Sequence, residues 1–414
     1  MTVTALLVSH DGARWLPAVL DGVAAQNRSV DAFVAVDTGS RDESVELVRA
    51  AWGNEAVHVL ESSTTYPQAV RAALATLPPV ASDDEWIWLL HDDANPAPDA
   101  LLALTLAFEE YPEADILGPK LREWPSLRRL LEVGLTITGT GHRETGLERG
   151  EYDQGQHDDA RRVLAVNTAG MLVRRRVLED LGGFDDELPI FGNDIDFGWR
   201  AAQAGHRTMV IPQAVVFHAE AAHRGVRRTP LTGRHTHYQE RRAALFTMLA
   251  NAPGRRLPWQ VIRLFLGSLL RVLGYLVVRA VGEALDELAA VVSVYSRPGH
   301  LRAARRARAA RRGRAADARP LLAPGWLPYR HGLDFLTDLA AAATNQAADV
   351  AERRRDAKLA AAEPSPANGS GSRPLGDEED EFLQDSGMVA RFVTNPVAMV
   401  LTLFAVVAIV AARP

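Results

Sequence analysis

Acidic and imidazole side chains stand at points of this 414-residue sequence where chemistry is expected. Asp37, Asp92 and Asp93 follow short apolar runs, Asp194 opens a helical pattern, and His218 ends a later apolar run. Adjacent carboxylates repel each other unless a cation offsets their charge, and Mg²⁺ or Mn²⁺ bridging to a diphosphate would do so. A carboxylate such as Asp194 could deprotonate an attacking hydroxyl, and a neutral imidazole could complete a metal shell.

Each residue also has a purely structural interpretation. Asp37 lies in Val-Asp-Thr-Gly-Ser, which is ordinary turn chemistry. Asp92 and Asp93 could cap a helix, and Asp194 could be an N-cap. His218 could be a hydrogen-bonded core histidine. These alternatives stay open for each residue taken singly, whereas the ordered set favours a functional site.

Strands and helices alternate in the stretch that must position these residues. Apolar runs predict strands and amphipathic spacing predicts helices. The predicted strands are Val3–Val8, Phe33–Val36, Val57–Leu60 and Trp86–Leu90, and the predicted helices are Trp15–Val23, Asp42–Trp52 and Pro67–Leu77. This alternation predicts an α/β fold with a mostly parallel sheet, helices on both faces, and ligands at the carboxyl ends of the strands.

The next stretch is less regular. Between Lys120 and Arg162 we predict loops with one antiparallel strand near Leu131–Thr138. Order returns in an apolar run, a turn at Gly182-Gly183-Phe184-Asp185, a helix near Asn193, and two closing strands. The run is Val163–Arg174, and the closing strands are Thr208–Ile211 and Val215–His218.

Composition excludes several classes of protein. The absence of cysteine excludes disulfides, thiolate zinc sites and a cysteine nucleophile. A mean hydropathy of −0.09 excludes a membrane bundle spread over the whole chain. Residues 1–220 carry 18 basic and 35 acidic side chains, residues 221–360 carry 25 and 10, and residues 361–414 carry 3 and 7. An acidic half joined to a basic half indicates a membrane surface or a polyanion as partner.

The basic half predicts membrane contact. Leu257–Val294 has a helical pattern in which charges interrupt each apolar window of about 18 residues, so we predict interface-lying helices rather than a span. A solvated helical hairpin packing on the first half is the alternative, and both can hold together. The arginine runs in 300–319 lack interleaved aromatic residues, which favours an anionic bilayer and predicts no nucleic-acid binding.

The carboxyl-terminal part predicts a tether and an anchor. The stretch 363–390 is rich in Pro, Ser, Gly and acidic residues, which is typical of a disordered linker. Pro396–Ala412 is uncharged and predicts a transmembrane helix within 391–414, which could be the first of a longer membrane domain. Because Met1 leads straight into a strand, we predict no signal peptide and a catalytic half that faces the cytosol.

The motifs in their order resemble an inverting family 2 glycosyltransferase of the GT-A fold, of the actinobacterial membrane-associated type. They are Ser-His-Asp-Gly, Asp-Thr-Gly-Ser-Arg-Asp-Glu-Ser, Trp-Leu-Leu-His-Asp-Asp-Ala, Asn-Thr-Ala-Gly-Met-Leu-Val-Arg-Arg, Gly-Gly-Phe-Asp and Asn-Asp-Ile-Asp-Phe-Gly-Trp-Arg. The resemblance implies a GT-A domain over 1–250, followed by a basic helical region over 251–362. It also implies a nucleotide-sugar donor, a divalent metal on its diphosphate, and direct displacement at the anomeric carbon.

The resemblance also implies roles for individual residues. Asp194 is the general base, Asp37 binds the nucleoside, and the predicted metal ligands for Mg²⁺ or Mn²⁺ are Asp93, His218 and His91. The other predicted nucleotide-sugar contacts are Ser9, Asp11, Gly39, Arg71, Asp92 and Gly170. The predicted acceptor-side residues are Gly183, Asp196, Trp199 and Arg200.

Three positions depart from the family pattern. His91 stands where the metal motif has its first Asp, and Asn193 replaces the acidic residue usual before the catalytic Asp. The stretch 239–243 resembles the Gln-x-x-Arg-Trp motif but lacks its Trp, which favours transfer of one or a few sugars. We therefore expect a membrane-attached glycosyltransferase acting on a lipid-linked or cell-envelope glycan, with a catalytically degenerate nucleotide-sugar sensor or scaffold as the alternative.

Overall fold

The computed structural model describes residues 1–327, except for 149, 228, 232–235, 278–279 and 314–316. Its strands are β1 (Thr2–Ser9), β2 (Ala32–Asp37), β3 (Val57–Val59), β4 (Glu85–His91), β5 (Ala94–Pro96), β6 (Ala114–Glu123), β7 (Leu130–Glu132), β8 (Thr136–Ile137), β9 (Arg143–Glu144), β10 (Arg161–Val163), β11 (Leu172–Arg174) and β12 (Arg207–His218). Its helices are α1 (Leu16–Ala24), α2 (Ser44–Trp52), α3 (Tyr66–Thr76), α4 (Ala100–Glu110), α5 (Arg175–Asp180), α6 (Asn193–Ala204), α7 (His237–Asn251), α8 (Leu257–Val277), α9 (Val281–Tyr295) and α10 (Pro298–Ala310).

One mixed, mostly parallel sheet organises the fold. Its strand order is β10-β12-β6-β11-β4-β1-β2-β3, with β5 paired to β12 and β7 to β6. Strands β4, β1, β2 and β3 are parallel neighbours, and β12 is parallel to β6. Strand β11 is antiparallel to both β4 and β6 and joins the two parallel groups. The predicted α/β fold class is confirmed.

Strand β4 shows how the sequence builds the two layers of the core. Successive side chains of a strand point to opposite faces of a sheet. Trp86, Trp88 and Leu90 accordingly pack in the hydrophobic cluster that contains residues of α1 and α4. Ile87 and Leu89 pack in the cluster on the other face, which contains residues of α3, α5 and α6. Burial on both faces explains why β4 is a continuous apolar run.

The structure corrects three predicted elements. The run Val163–Arg174 is not one strand, because β10 ends at Val163 and β11 begins at Leu172. The two predicted closing strands are one strand, β12, in which the register shifts between Ile211 and Val215. The strand predicted near Leu131–Thr138 is two short strands, β7 and β8.

The strand register brings the predicted polar residues to one edge of the sheet. Ser9 at the end of β1 is opposite Asp37 at the end of β2, and Val8 is opposite His91 at the end of β4. Immediately after Asp93, strand β5 folds back along β12, so that Ala94 pairs with His218. Ala94 at the start of β5 and His218 at the end of β12 are 124 positions apart in the chain and therefore meet.

Helices α7 to α10 pack beside α6 through a third hydrophobic cluster. The chain divides into two compact units, and the first, Met1–Leu276 with Ala280–Gly325, contains the sheet and these helices. Among the described helices, the segment Gly254–Leu276 is long and apolar enough to cross a membrane by length and composition. The predicted linker over 363–390 and the predicted transmembrane helix within 391–414 lie outside the described residues.

Candidate active site

Three predicted metal ligands meet at the end of β4. One ligand atom from each of His91, Asp93 and His218 can be chosen so that all lie within 4.8 Å of one another. His218 Nε2 is 3.3 Å from Asp93 Oδ1, and the rings of His91 and His218 contact each other edge to face. The buried Nδ1 of His218 has no hydrogen-bond partner among the described residues. One carboxylate and two imidazoles, one of which has an unpartnered nitrogen, fit a divalent transition-metal ion.

The protonation of the cluster follows from burial and from its own charges. The pKa of His91 is lowered to about 3, mainly by burial and to a smaller extent by the positive charge of His218. His91 is therefore a neutral imidazole, the form that binds metals. Burial alone would raise the pKa of Asp93, but the neighbouring His218 and Arg227 hold it well below its usual range. Burial opposes protonation of His218, yet Asp93 raises the pKa of that imidazole.

Asp92 lies beside this cluster but has different partners. Arg227 Nη1 is 2.6 Å from both carboxylate oxygens of Asp92, and Arg227 Nη2 is 3.6 Å from Asp93 Oδ2. The backbone N–H of His10 donates to Asp92 Oδ2 at 2.8 Å. Burial raises the pKa of Asp92, while Arg227 acts in the opposite direction. The positive charge of Arg227 thus offsets the repulsion between the adjacent carboxylates of Asp92 and Asp93.

Four predicted donor-binding residues form a polar edge at the ends of β1 and β2. They are Ser9, Asp11, Asp37 and Gly39. Asp37 accepts hydrogen bonds from Ser40 N and Ser40 Oγ, and the hydroxyl of Ser40 accepts one from Asp11 N. The hydroxyl of Ser9 donates to Asp92 Oδ2. Gly39 has a φ of +73°, and a Cβ there would lie 2.7 Å from the backbone nitrogen of Ser62. A side chain at position 39 would therefore collide with the backbone of Ser62, so that glycine is needed for the close approach of these two segments.

Asp194 lies at the start of α6 in a second charged cluster. Its Oδ2 is 3.0 Å from Arg143 Nη2, and the same Arg143 nitrogen contacts Glu132 Oε1. Asn167 Nδ2 donates to both oxygens of Glu132, at 3.0 and 3.1 Å. Burial raises the pKa of Glu132, Arg143 lowers it, and the charge of Asp194 raises it further. One half-buried arginine therefore contacts two carboxylates, of which Asp194 is the predicted base.

Two predicted acceptor-side residues form a buried ion pair. The side chain of Asp196 is completely buried and accepts hydrogen bonds from Arg200, Asn251 and Arg308. Arg200 is buried as well and donates to the carbonyl of Gly183. Burial alone would raise the pKa of Asp196, but the two guanidinium groups lower it to about 2. This ion pair fixes α6, and Arg200 also lines a polar cavity together with Gly183.

Four other predicted residues lie away from these clusters. Trp199 is buried in the third hydrophobic cluster, so it has no surface for an acceptor. Arg71 pairs with Asp186 at 3.0 Å and borders a polar cavity together with Gly183. Gly170 is buried, and a Cβ there would lie 2.7 Å from Pro119 Cγ. The structure does not bring Arg71, Gly170 or Gly183 into hydrogen-bond contact with the metal ligands.

Sequence reasoning missed several residues that complete the site. Arg227 and Arg143 supply its positive charges, and Glu132 shares Arg143 with Asp194. Thr168 Oγ1 is 3.0 Å from His91 Nε2, and Tyr66 contacts the His91 ring edge to face. The polar tetrapeptide Asn-Thr-Ala-Gly inside an apolar run was the available signal for Thr168. No local sequence pattern indicated a role for Arg227 or Arg143.

A family model described as "Glycosyltransferase like family 2" matches residues 2–234, which is more than half of the chain. The chain belongs to this family. It is a glycosyltransferase, and the mixed sheet with its polar edge is the GT-A fold expected from the motifs. The resemblance stated from the sequence is thereby confirmed.

Two curated proteins are similar to parts of this family 2 chain. The N-acetylglucosaminyl-diphospho-decaprenol L-rhamnosyltransferase of Mycobacterium tuberculosis is 27% identical over 221 residues, which cover 48% of this chain and 69% of that protein. The O-antigen biosynthesis protein RfbC of Myxococcus xanthus is 29% identical over 143 residues, which cover 34% of this chain and 11% of that protein. The second similarity is therefore confined to a small part of the relative.

Two solved structures align with the chain at low similarity. GalNAc-T7 with UDP, GalNAc and Mn²⁺ aligns at 14% identity and a TM-score of 0.43, covering 59% of this chain and 47% of that chain. The mannosyltransferase PcManGT from Pyrobaculum calidifontis, in complex with GDP-Man and Mn²⁺, aligns at 17% identity and a TM-score of 0.40, covering 75% and 84%. The chain thus spans about half of the first structure and most of the second.

Proposed function

We propose that this glycosyltransferase transfers a sugar, with inversion, from a nucleotide-diphosphate donor to a hydroxyl of a lipid-linked or cell-envelope glycan. The observation that carries the proposal is the His91–Asp93–His218 cluster at the sheet edge. A separate carboxylate, that of Asp194, is paired with Arg143. The cluster would hold a cation that stabilises the negative charge of a diphosphate, and Asp194 supplies a base. Inversion requires one base carboxylate and no covalent intermediate.

The donor binds at the ends of β1, β2 and β4 in this proposal. The two oxygens of Asp37 accept one hydrogen bond each from Ser40, and a carboxylate has about four acceptor positions. Asp37 therefore retains capacity for ribose hydroxyls or a base edge. Ser9, Asp11 and Gly39 form the rest of this surface, where Gly39 allows the close approach of Ser62.

The diphosphate lies toward His91, Asp93 and His218, which would hold Mg²⁺ or Mn²⁺. A divalent cation bound there would stabilise the charge that develops on the leaving diphosphate. Two imidazoles among three ligands favour Mn²⁺ over Mg²⁺, because Mg²⁺ prefers all-oxygen coordination. Asp92 is outside this ligand set and orients the loop of β1 through His10 and Arg227.

The acceptor approaches Asp194. Its hydroxyl proton passes to the Asp194 carboxylate while the hydroxyl oxygen forms a bond to the anomeric carbon. The bond from that carbon to the diphosphate oxygen breaks, and its electron pair leaves with the nucleoside diphosphate. Arg143 fixes the Asp194 carboxylate at 3.0 Å, so that its free lone pairs point in a defined direction during this step.

The mycobacterial relative named as a rhamnosyltransferase supports an activated L-rhamnose as first donor to test and an N-acetylglucosaminyl-diphospho-lipid as first acceptor. Such an acceptor supports a location at the membrane, and we propose that the enzyme lies at its cytosolic face. The basic character of residues 221–360 supports the same location, since anionic lipids attract arginine. Loss of the synthase-type Trp at Ala243 supports transfer of one or a few sugars.

The test is sugar transfer by the full chain with Mn²⁺, a panel of UDP-, GDP- and dTDP-linked sugars that includes activated L-rhamnose, and the lipid-linked acceptor. Asp194→Asn should lower kcat by about a thousandfold or more, since a positioned base and its charge are both lost. Binding of the nucleoside diphosphate should stay within about twofold, because Asp194 lies outside the nucleotide surface. Exposed Glu109→Gln on α4 is the control and should keep full activity. Retained turnover in Asp194→Asn would refute the assigned base.

A further inference from the structure

Two helices of the basic half expose large apolar side chains in regular stripes. Each of these side chains is between 46% and 63% exposed. They are Trp259, Ile262, Phe265, Leu266, Leu269, Leu273 and Leu276 on α8 and Val281, Leu285, Leu288 and Val292 on α9; we call these eleven residues the apolar face. The three- and four-residue spacing is that of an amphipathic helix with its apolar side toward solvent. Exposed apolar surface of this extent marks an interaction site.

The opposite side of α8 is attached to the rest of the protein. Leu264 is buried in the third hydrophobic cluster, and Ser268 Oγ accepts a hydrogen bond from Arg241 at 2.9 Å. Gln260 Nε2 donates to the carbonyl of Gly139, and Tyr295 of α9 donates to the carbonyl of Val261 at 2.8 Å. A helix held by polar contacts along one side cannot have lipid all around it. The 23-residue segment Gly254–Leu276 thus lies along the protein surface, although its length suffices for a span.

Positive charge is concentrated in the part of the sequence that carries the two stripes. Between residues 254 and 312 the sequence contains twelve arginines and three acidic residues. Arg255 and Arg256 are exposed immediately before α8, and Arg302 and Arg306 are exposed on α10. Arginine at the edge of an apolar surface matches anionic headgroups above hydrocarbon, each contributing about 1 kcal/mol near the membrane. This charge complementarity favours a bilayer over a neutral protein partner.

We propose that the apolar face lies in the plane of an anionic bilayer, at the boundary between headgroups and acyl chains, as a monotopic membrane-binding surface. The inference deepens the proposed function, on which it rests for the lipid-linked acceptor. It adds that α8 and α9 lie along the membrane and do not cross it. The acceptor glycan then reaches the site from the same surface that holds the enzyme.

The absence of cysteine allows a direct test on the full chain. Single cysteines at Ile262, Leu266, Leu269 and Leu273 of α8 and at Leu285 of α9 carry a nitroxide label. The Leu106→Cys variant is the control, because Leu106 on α4 is equally exposed but lies outside the apolar face. Collision of each label with dissolved oxygen and with a water-soluble nickel chelate reports its depth in vesicles of phosphatidylglycerol and phosphatidylcholine.

When vesicles are added, we expect every label of the apolar face to collide several-fold less with the nickel chelate and more with oxygen. The labels along α8 should all lie at one shallow depth. The Leu106→Cys label should stay in water. A depth that increases and then decreases from position 262 to 273 would overturn the proposal in favour of a span. Labels shielded equally without vesicles would overturn it in favour of a protein occupant, which is a second copy or another segment of this chain.

Labels that remain in water while the protein is vesicle-bound would overturn it too, since another part of the chain would then be the anchor. Vesicles of phosphatidylcholine alone should give weaker shielding, because they lack the anionic headgroups. The depth measurement is independent of catalysis. Leu266→Cys combined with Asp194→Asn should give the same depth as Leu266→Cys alone, so that failure of the membrane proposal and failure of the proposed reaction remain distinguishable.

Discussion

The proposed donor side and the proposed acceptor side of the candidate active site are built in different ways. On the donor side, Ser9, Asp37 and His91 are the last residues of three neighbouring strands, so the sheet register alone brings them together. On the acceptor side, Asp194 begins a helix and depends on Arg143, which comes from a short strand of a separate small sheet. A strand end is a local property of the sequence, whereas a contact between residues 51 positions apart, with β10, β11 and α5 between them, is not.

The same difference separates two carboxylates of α6. Asp194 and Asp196 are two residues apart, and residues with that spacing do not share a helix face. Asp194 points to the cluster with Arg143, while Asp196 points into the core toward Arg200 and Arg308. One carboxylate is thus available for chemistry and the other maintains the structure. Four variants, including the base variant described above, test this division.

The largest expected effect on the fold comes from Asp196→Asn. It leaves two buried guanidinium groups without their carboxylate, and breaking a buried ion pair costs about 3–5 kcal/mol. Denaturant unfolding should show that loss in Asp196→Asn and a loss of at most about 1 kcal/mol in Asp194→Asn, whose partner Arg143 keeps Glu132. Equal destabilisation by the two variants would remove the distinction between them.

The pH dependence of stability gives a second readout of the same ion pair. The folded-state pKa of Asp196 is about 2, which is below the ordinary value of 3.8. A lowered pKa stabilises the fold above pH 4, and this contribution of about 2 kcal/mol is lost as the pH falls through 2. The unfolding free energy of the parent should therefore fall more steeply between pH 4 and 2 than that of Asp196→Asn. Parallel curves would contradict the assignment.

Arg143→Gln tests whether the acceptor side depends on the ion pair with Asp194. Without the guanidinium the carboxylate loses its fixed direction, and we expect kcat to fall about tenfold with the donor KM unchanged. Steady-state kinetics with varied donor separate the two parameters, and Arg143→Lys, which keeps the charge, should recover part of kcat. A change in donor KM with constant kcat would place Arg143 on the donor side.

The smallest expected effect comes from Ser40→Ala on the donor side. The variant removes the hydroxyl that donates to Asp37 and accepts from Asp11 N, so that one neutral-to-charged hydrogen bond is lost. Such a bond contributes about 1 kcal/mol, which corresponds to about fivefold weaker nucleotide binding. Calorimetric titration with UDP, GDP and dTDP measures it. An unchanged affinity for all three would exclude Asp37 from the nucleotide surface.

The sequence predicted the strands that carry the proposed donor side, because β1, β2 and β4 are apolar runs that end in polar residues. It also contained the information needed to place Asp196, since Arg200 is four residues later and opposite charges at that spacing pair on a helix. The run Val163–Arg174 was misread because apolar character continues through a loop that supplies Thr168 and Asn167.

Other residues of the site could not be predicted from one sequence. Arg227 reaches Asp92 across 135 residues from a stretch without periodicity, and Arg143 lies in an irregular region rich in charge. The return of β5 along β12 carries His218 to Asp93, but β5 has three residues and gives no detectable pattern. Long-range pairing of short elements is set by packing, which local patterns do not encode.

The most direct test of the central claim is Mn²⁺ binding to the His91–Asp93–His218 cluster. Electron paramagnetic resonance of free Mn²⁺ measures how much ion the full chain removes from solution in the presence of UDP, GDP or dTDP. We expect one bound ion per chain for the parent and for Asp194→Asn, and at least about tenfold weaker binding for Asp93→Ala and His218→Ala. Binding that is absent in the parent, or equal in all four proteins, would contradict the account.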